Sequence, residues 1–315
     1  MNVRVVAVQP RVKVGEVDEN LRHLEDLITQ AAREHSPQMI LLPESMTTPN
    51  VYHPSMRAAA RPVDGEPMQM LRRLAREHGC LVGGGYLSVR GEDARGTYCL
   101  AEPDGTTHLH DKDQPSFWEN NYYGPGHDDG IMPTSLGPLG CMNGWEWGRS
   151  RTAERLRGRV LMGVGGMHFP SFPTWPLVRP WFIGREEELL IGYAREMPVR
   201  MAKILGVPCV QPSHVGDVTM HTPLVPGLPW HTRLLGETHI VDADGRTLAL
   251  MTYRDGEGYV AADVQVGEPR PRDEVPGSFW ISAITPITHL VWWVGNAHGR
   301  SKYLTMKALR RHRWQ

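Results

Sequence analysis

The sequence predicts an α/β fold made of two mixed sheets packed face to face, with helices outside. Three features lead there. Short β-branched runs alternate with stretches of helical periodicity through the first half of the chain. Hairpin signals stand between these strand–helix units, which a simple doubly wound parallel sheet does not accommodate. A similar set of strands and helices returns in the second half, without a repeat of fixed period. The 315 residues suffice for a substantial core.

Residues 3–8 (VRVVAV) suit a buried strand. Residues 18–34 place Leu21, Leu24, Leu27, Ile28 and Ala31 on one face of a helix. The apolar run 39–42 reads as a strand halted by Pro43, and Leu71, Leu74 and Ala75 suggest a second helix. Residues 80–82 read as a strand broken by Gly83, Gly84 and Gly85. Residues 97–102 and 106–110 flank Pro103-Asp104-Gly105 as a hairpin. A short helix at 152–158 precedes a strand at 160–164. A long helix at 185–206 is interrupted by Pro198, which predicts a kink or a break. Strand 207–211, a hairpin through Asp242-Ala243-Asp244-Gly245, and strand 259–264 close the pattern. Residues 168–184, rich in proline and aromatics, read as a long ordered loop that walls a pocket. The main domain is placed at 1–270. Residues 271–315 form a C-terminal extension whose Val291-Trp292-Trp293 covers a core edge or a partner subunit, and whose basic end, 307–313, is a solvated helix.

The formal net charge of -1 supplies no electrostatic reason to bind nucleic acid or an anionic membrane. No apolar run approaches the roughly 20 residues that span a bilayer. The first residues, MNVRVVAVQP, lack the pattern of a signal peptide, so a cytoplasmic location is expected. Cys80, Cys99, Cys141 and Cys209 are far apart and form no CxxC pair, which argues against a metal site or a disulfide framework. No dinucleotide or P-loop motif appears, so no cofactor is expected.

Three segments carry the chemistry. Leu41-Leu42-Pro43-Glu44 sets a carboxylate just past a buried strand, where α/β enzymes keep reacting groups. Lys112 and Glu119 stand seven positions apart across an aromatic-rich stretch and suit a buried charged pair; the bland alternative is a surface loop. Residues 137–147 (GPLGCMNGWEW) read as a strand and a sharp turn leading into a helix, an elbow that aims backbone N–H groups at an oxyanion.

In their order and spacing these segments resemble the nitrilase, or carbon–nitrogen hydrolase, superfamily, in its nitrilase-type branch. Residues 193–206, 213–216 and 236–245 agree with that pattern, so the resemblance covers about residues 3–265. It implies a four-layer αββα sandwich and a Glu–Lys–Cys site on a homo-oligomer that hydrolyses the C–N bond of a small amide or nitrile. A thiolate attacks and a covalent intermediate forms. Glu44 would move the protons. Lys112, with the backbone N–H of Trp145, would face the developing negative charge. Glu119 would hold the lysine and orient substrate. Trp145, Glu146, Met167 and His168 would meet the substrate.

The nucleophile position departs from the pattern. Counted from Gly137-Pro138-Leu139-Gly140 and fixed by Trp145-Glu146, it falls on Gly144. Cys141 lies three residues earlier, and strand alternation turns it to the opposite face unless a bulge intervenes. Ser213 and Met197 also stand where the pattern has asparagine. Three readings follow: a hydrolase whose nucleophile has been replaced, a thiol-independent enzyme using Glu44 and Lys112 in the room left by the missing side chain, or an inactive binding protein on the same fold.

Overall fold

The computed structural model describes residues 1–174, 180–223, 225 and 227–309. In chain order its strands are β1 (Asn2–Gln9), β2 (Met39–Leu41), β3 (Arg61–Pro62), β4 (Leu81–Arg90), β5 (Asp93–Ala101), β6 (Thr107–Asp111), β7 (Ile131–Thr134), β8 (Gly137–Cys141), β9 (Met162–Val164), β10 (Cys209–Gln211), β11 (Val215–His221), β12 (Pro229–Val241), β13 (Thr247–Thr252) and β14 (Gly258–Gln265). The helices are α1 (Val17–His35), α2 (Glu66–His78), α3 (Ser150–Leu156), α4 (Pro180–Leu205) and α5 (Pro286–Ala308). One sheet runs β14-β1-β2-β4-β5-β6, with β3 against β4; the other runs β11-β12-β10-β9-β8-β7, with β13 against β12. Each mixes parallel and antiparallel pairs.

Strand alternation builds three apolar layers. Val6 and Val8 of β1 face Leu24, Ile28, Leu71 and Leu74 of α1 and α2. The intervening Val5 and Ala7 meet Leu139, Met162 and Val210 of the second sheet. On that sheet's outer side Cys209 and Val241 pack with Leu156 of α3 and Met201 and Leu205 of α4. The result is the αββα sandwich expected from the sequence.

Some element readings change. Gly83, Gly84 and Gly85 lie inside β4 and do not break it. A Cβ on Gly83 or Gly85 would press on Leu100 or on the backbone of Glu44, so the glycines let neighbouring chain come close. Helix α4 runs through Pro198, its buried Ala194, Met197, Met201 and Leu205 holding it to the core on both sides. The loop at 168–184 is shorter than expected, because α4 begins at Pro180; residues 175–179 lie outside the described residues, as does the basic end from Arg310 onward. The hairpin of β11 with the first half of β12 escaped the sequence reading. Among the described residues no helix is long and apolar enough to cross a membrane.

Candidate active site

Glu44 sits just beyond β2, fixed by backbone on both sides. The Leu42 N–H donates to Gly83 O at 2.7 Å, the Gly85 N–H to Pro43 O at 3.1 Å, and the Met46 N–H to Gly85 O at 2.7 Å. A Cβ on Gly85 would lie 2.7 Å from Glu44 Cα, and one on Gly166, from the other sheet, would collide with the Glu44 nitrogen. Glycine at both positions lets the two sheets close on the loop that presents the carboxylate. From the same side, His214 Nε2 lies 2.6 Å from the Glu44 carbonyl oxygen.

Lys112 follows β6 and is buried. Its Nζ donates to Glu44 Oε2 at 2.9 Å and to Glu119 Oε1 at 2.8 Å. Glu119 belongs to the single 3₁₀ turn Phe117–Asn121, where the Ser116 N–H donates to its Oε2 at 2.6 Å and Asn50 Nδ2 donates to its Oε1. Burial pushes the Glu44 carboxyl up to about 7, against the pull of Lys112 and with a further push from Glu119. Burial works against the Lys112 charge, yet Glu119 and Glu44 hold the ammonium above its ordinary range. The three side chains expected to converge do so.

Gly144 completes this cluster. It opens the 3₁₀ turn Gly144–Gly148 at φ +55°, and its N–H donates to Gly166 O at 2.8 Å. A Cβ built on it would lie 2.6 Å from Lys112 Nζ and closer still to Glu44 Oε1. A side chain at 144 would thus point between the ammonium and the carboxylate. The room expected from its absence is taken up by the ends of Glu44 and Lys112, which is a correction. Cys141 cannot replace the missing thiol. It is buried between the sheets with Leu139 and Val164, and burial holds its thiol well above the ordinary range.

A cavity opens over the cluster. Glu44, Asn50, Glu119 and His168 form its polar end; Trp118, Trp145, Phe169, Phe172, Leu190 and Trp230 supply apolar walls, and α5 adds Thr288 and Val291. The His168 ring packs edge-on to His214 at 5.5 Å, and burial, with His214 and Lys112 nearby, keeps it well below the usual imidazole range and neutral.

The carbon–nitrogen hydrolase family model matches residues 3–159. The chain belongs to the carbon–nitrogen hydrolase family. Solved structures of the superfamily share its fold. A carbon–nitrogen hydrolase from Helicobacter pylori G27 superposes with a TM-score of 0.68 at 18% identity, over 84% of this chain and 90% of that one. Nit3 of Saccharomyces cerevisiae, a member of branch 10 of the nitrilase superfamily, gives 0.63 at 19% identity over 83% and 89%. An amidase from Nesterenkonia sp. gives 0.62 at 16% identity over 87% and 92%. In a glutamate-to-glutamine variant of the Nesterenkonia sp. AN1 amidase, acrylamide has added to the active-site cysteine. No curated protein matches the sequence.

Within this family frame two residues expected at the substrate are corrected. Glu146 does not line the cavity. Its fully buried carboxylate accepts from the N–H groups of Asn143 (2.8 Å) and Asp113 (3.1 Å), lies 2.9 Å from His110 Nε2, and accepts from Arg155 at 3.3 Å. It pins the turn at Gly144 and leaves no oxygen for a ligand. Met167 is buried in the core cluster that holds Met142 and Leu235 and does not line the cavity. Trp145 and His168 do line the cavity. Sequence reasoning missed Asn50, which no motif marks, His214, which sits in the matching turn at 213–216 but was given no role, and Thr288 and Val291, which lie in the extension. Among the described residues no group of three or more His, Cys, Asp or Glu side chains could hold a metal ion.

Proposed function

We propose that this family member is a thiol-independent acid–base enzyme acting on the C–N bond of a small, uncharged amide or nitrile with a flat apolar substituent. One observation carries the reading: Glu44, raised to about 7, lines the cavity and is bonded to Lys112 beside a residue that has no nucleophile. Glu44 would take a proton from a water that attacks the carbonyl carbon directly. The Lys112 ammonium would face the oxyanion of the tetrahedral intermediate. As that intermediate collapses, the Glu44 acid returns the proton to the departing nitrogen, so an amide consumes one water and releases one amine; a nitrile first takes one water across its C≡N bond to give the amide, and a second water then releases ammonia. The aromatic walls supply apolar area for the substituent. Lys112 and Glu119 offset one another, leaving no surplus positive charge for an anionic substrate.

A panel of benzamide, benzonitrile and their ring-substituted relatives tests this by ammonia release. Glu44→Gln should lower turnover at least a hundredfold, and turnover should rise with pH through about 7 as Glu44 ionises. An unchanged rate in Glu44→Gln would overturn the proposal. A second reading, a binding protein without turnover, is favoured by the ion pair that closes over the thiol's place. Under it benzamide raises the melting temperature while no ammonia appears. A homo-oligomer fits the exposed Leu290, Trp293 and Val294 of α5, and sedimentation velocity would report it.

A further inference from the structure

Helix α5 lies outside the stretch matched by the family model, yet it touches the charged cluster through one turn. That turn begins at Phe117, a non-glycine residue at φ +51°, a left-handed conformation that must be held by its surroundings. Asn296 of α5 holds it. Its Oδ1 accepts from the Phe117 N–H at 2.7 Å and from Asn120 Nδ2 at 2.9 Å. Two glycines let the helix come this close. A Cβ on Gly299 would lie 2.7 Å from Asn120 Cβ and 3.0 Å from Phe117 O; one on Gly295 would lie 3.2 Å from Phe117 Cα. The far end of α5 is tied down separately, Lys302 Nζ donating to the Tyr52 hydroxyl at 2.6 Å and Lys307 Nζ to Asp93 at 2.6 Å. Two residues past Phe117 the turn presents Glu119 to Lys112.

We propose that α5 is a positioning element of the active site: Asn296 holds the turn at Phe117 so that Glu119 engages Lys112, while Val291 of the same helix shapes the cavity for the substrate's apolar group. The role as an active site rests on the function proposed above; the geometric coupling does not. If Asn296 lets go, Glu119 drifts from Lys112, and the ammonium is left to Glu44 alone. Glu44 then ionises more easily. Only the Oδ1 of Asn296 is used, since its Nδ2 has no partner among the described residues. Asn296→Asp therefore keeps both bonds, and Asn296→Ala keeps neither.

The test follows Glu44 by ¹³C NMR of the glutamate-labelled full chain, its signal assigned by its loss in Glu44→Gln. Asn296→Ala should titrate at a lower pH than the parent protein, with Asn296→Asp restored to the parent midpoint. Gly299→Ala, which pushes the helix off the turn, should behave as Asn296→Ala does and replaces it if that variant fails to fold. Benzamide affinity, read by tryptophan fluorescence, should fall about tenfold in Asn296→Ala, the expected loss for two hydrogen bonds. In Val291→Ala it should fall with the Glu44 midpoint unmoved. An unchanged midpoint in Asn296→Ala, or an Asn296→Asp protein that behaves like it, overturns the positioning role. A parent protein that ignores benzamide counts against the proposed function, while the titration still decides the role of α5.

Discussion

At Gly144 the backbone adopts φ +55°, and a side chain there would meet the ends of Glu44 and Lys112. Both neighbours are flexible at their tips, so a thiol can be admitted only by parting the ion pair. Left-handed backbone costs an L-residue about 1–2 kcal/mol relative to glycine. Gly144→Cys should thus unfold at lower urea, by an amount of that order. If the frame also serves thiol chemistry, the same variant should hydrolyse benzamide faster than the parent does. Glu44 has its own signature. Its folded value of about 7 exceeds the ordinary 4.5, because burial disfavours the charged form. Its contribution to stability is greatest below about 4.5 and is lost as pH rises through about 7. Glu44→Gln should therefore stabilise the protein at pH 8 relative to the parent, and less so at pH 4. Equal shifts at both values, read by urea denaturation, would show that the carboxyl is not strained by burial.

At the scale of elements, the two 3₁₀ turns that carry the site are held differently. The turn at Phe117 leans on a helix from the end of the chain. The turn at Gly144 leans on a buried ion network, in which Glu146 caps Asn143 and is matched by His110, itself bonded to Asp128. Burial opposes the charge on His110, but Glu146 and Asp128 outweigh it and raise the imidazole to about 10. The sign follows from an ordinary value of 6.5: this stabilisation is complete below about 6.5 and is lost as pH rises through about 10. Removing one partner of a buried pair costs about 3–5 kcal/mol. His110→Gln should lose stability of that order at pH 6 and much less at pH 10.5. A loss that does not depend on pH would show that His110 is neutral in the fold.

For the whole molecule, the decisive feature is that two sheets press on one another through an apolar layer with the charged cluster at one end of it. Glu44 leaves the first sheet and Gly144 the second, and they meet where β2 and β8 run out together. All four cysteines are buried, Cys141 between the sheets, Cys80 and Cys99 under α1 and α2, and Cys209 on the second sheet's outer side. Ellman's reagent should find no rapidly reacting thiol in the native protein and four after unfolding; one fast native thiol would show that a core layer opens. The tail belongs to this scale as well, since Thr288 and Val291 complete a cavity whose other walls come from residues more than 50 positions away.

Local pattern was enough for most elements. The alternation at 3–8, the helical faces of α1 and α2, and the turn residues at Pro103-Asp104-Gly105 each encode their element over a few neighbours, where propensity and periodicity act directly. The segments around Glu44, Lys112, Glu119 and Gly144 anticipated a single charged cluster through the family that their order and spacing resemble. Contacts between distant residues lay beyond such reading. The glycines of β4 looked like a break, because what demands them is the loop at Glu44 pressed on the strand. Glu146 and Met167 looked like cavity residues, because a sequence names a residue without saying which way its side chain turns. Whether the missing side chain at Gly144 leaves a void, and whether a helix some 180 residues downstream steadies Glu119, depends on how closely packed surfaces approach. Only the assembled structure fixes those separations, because each is set by steric contact among segments that do not adjoin in the chain.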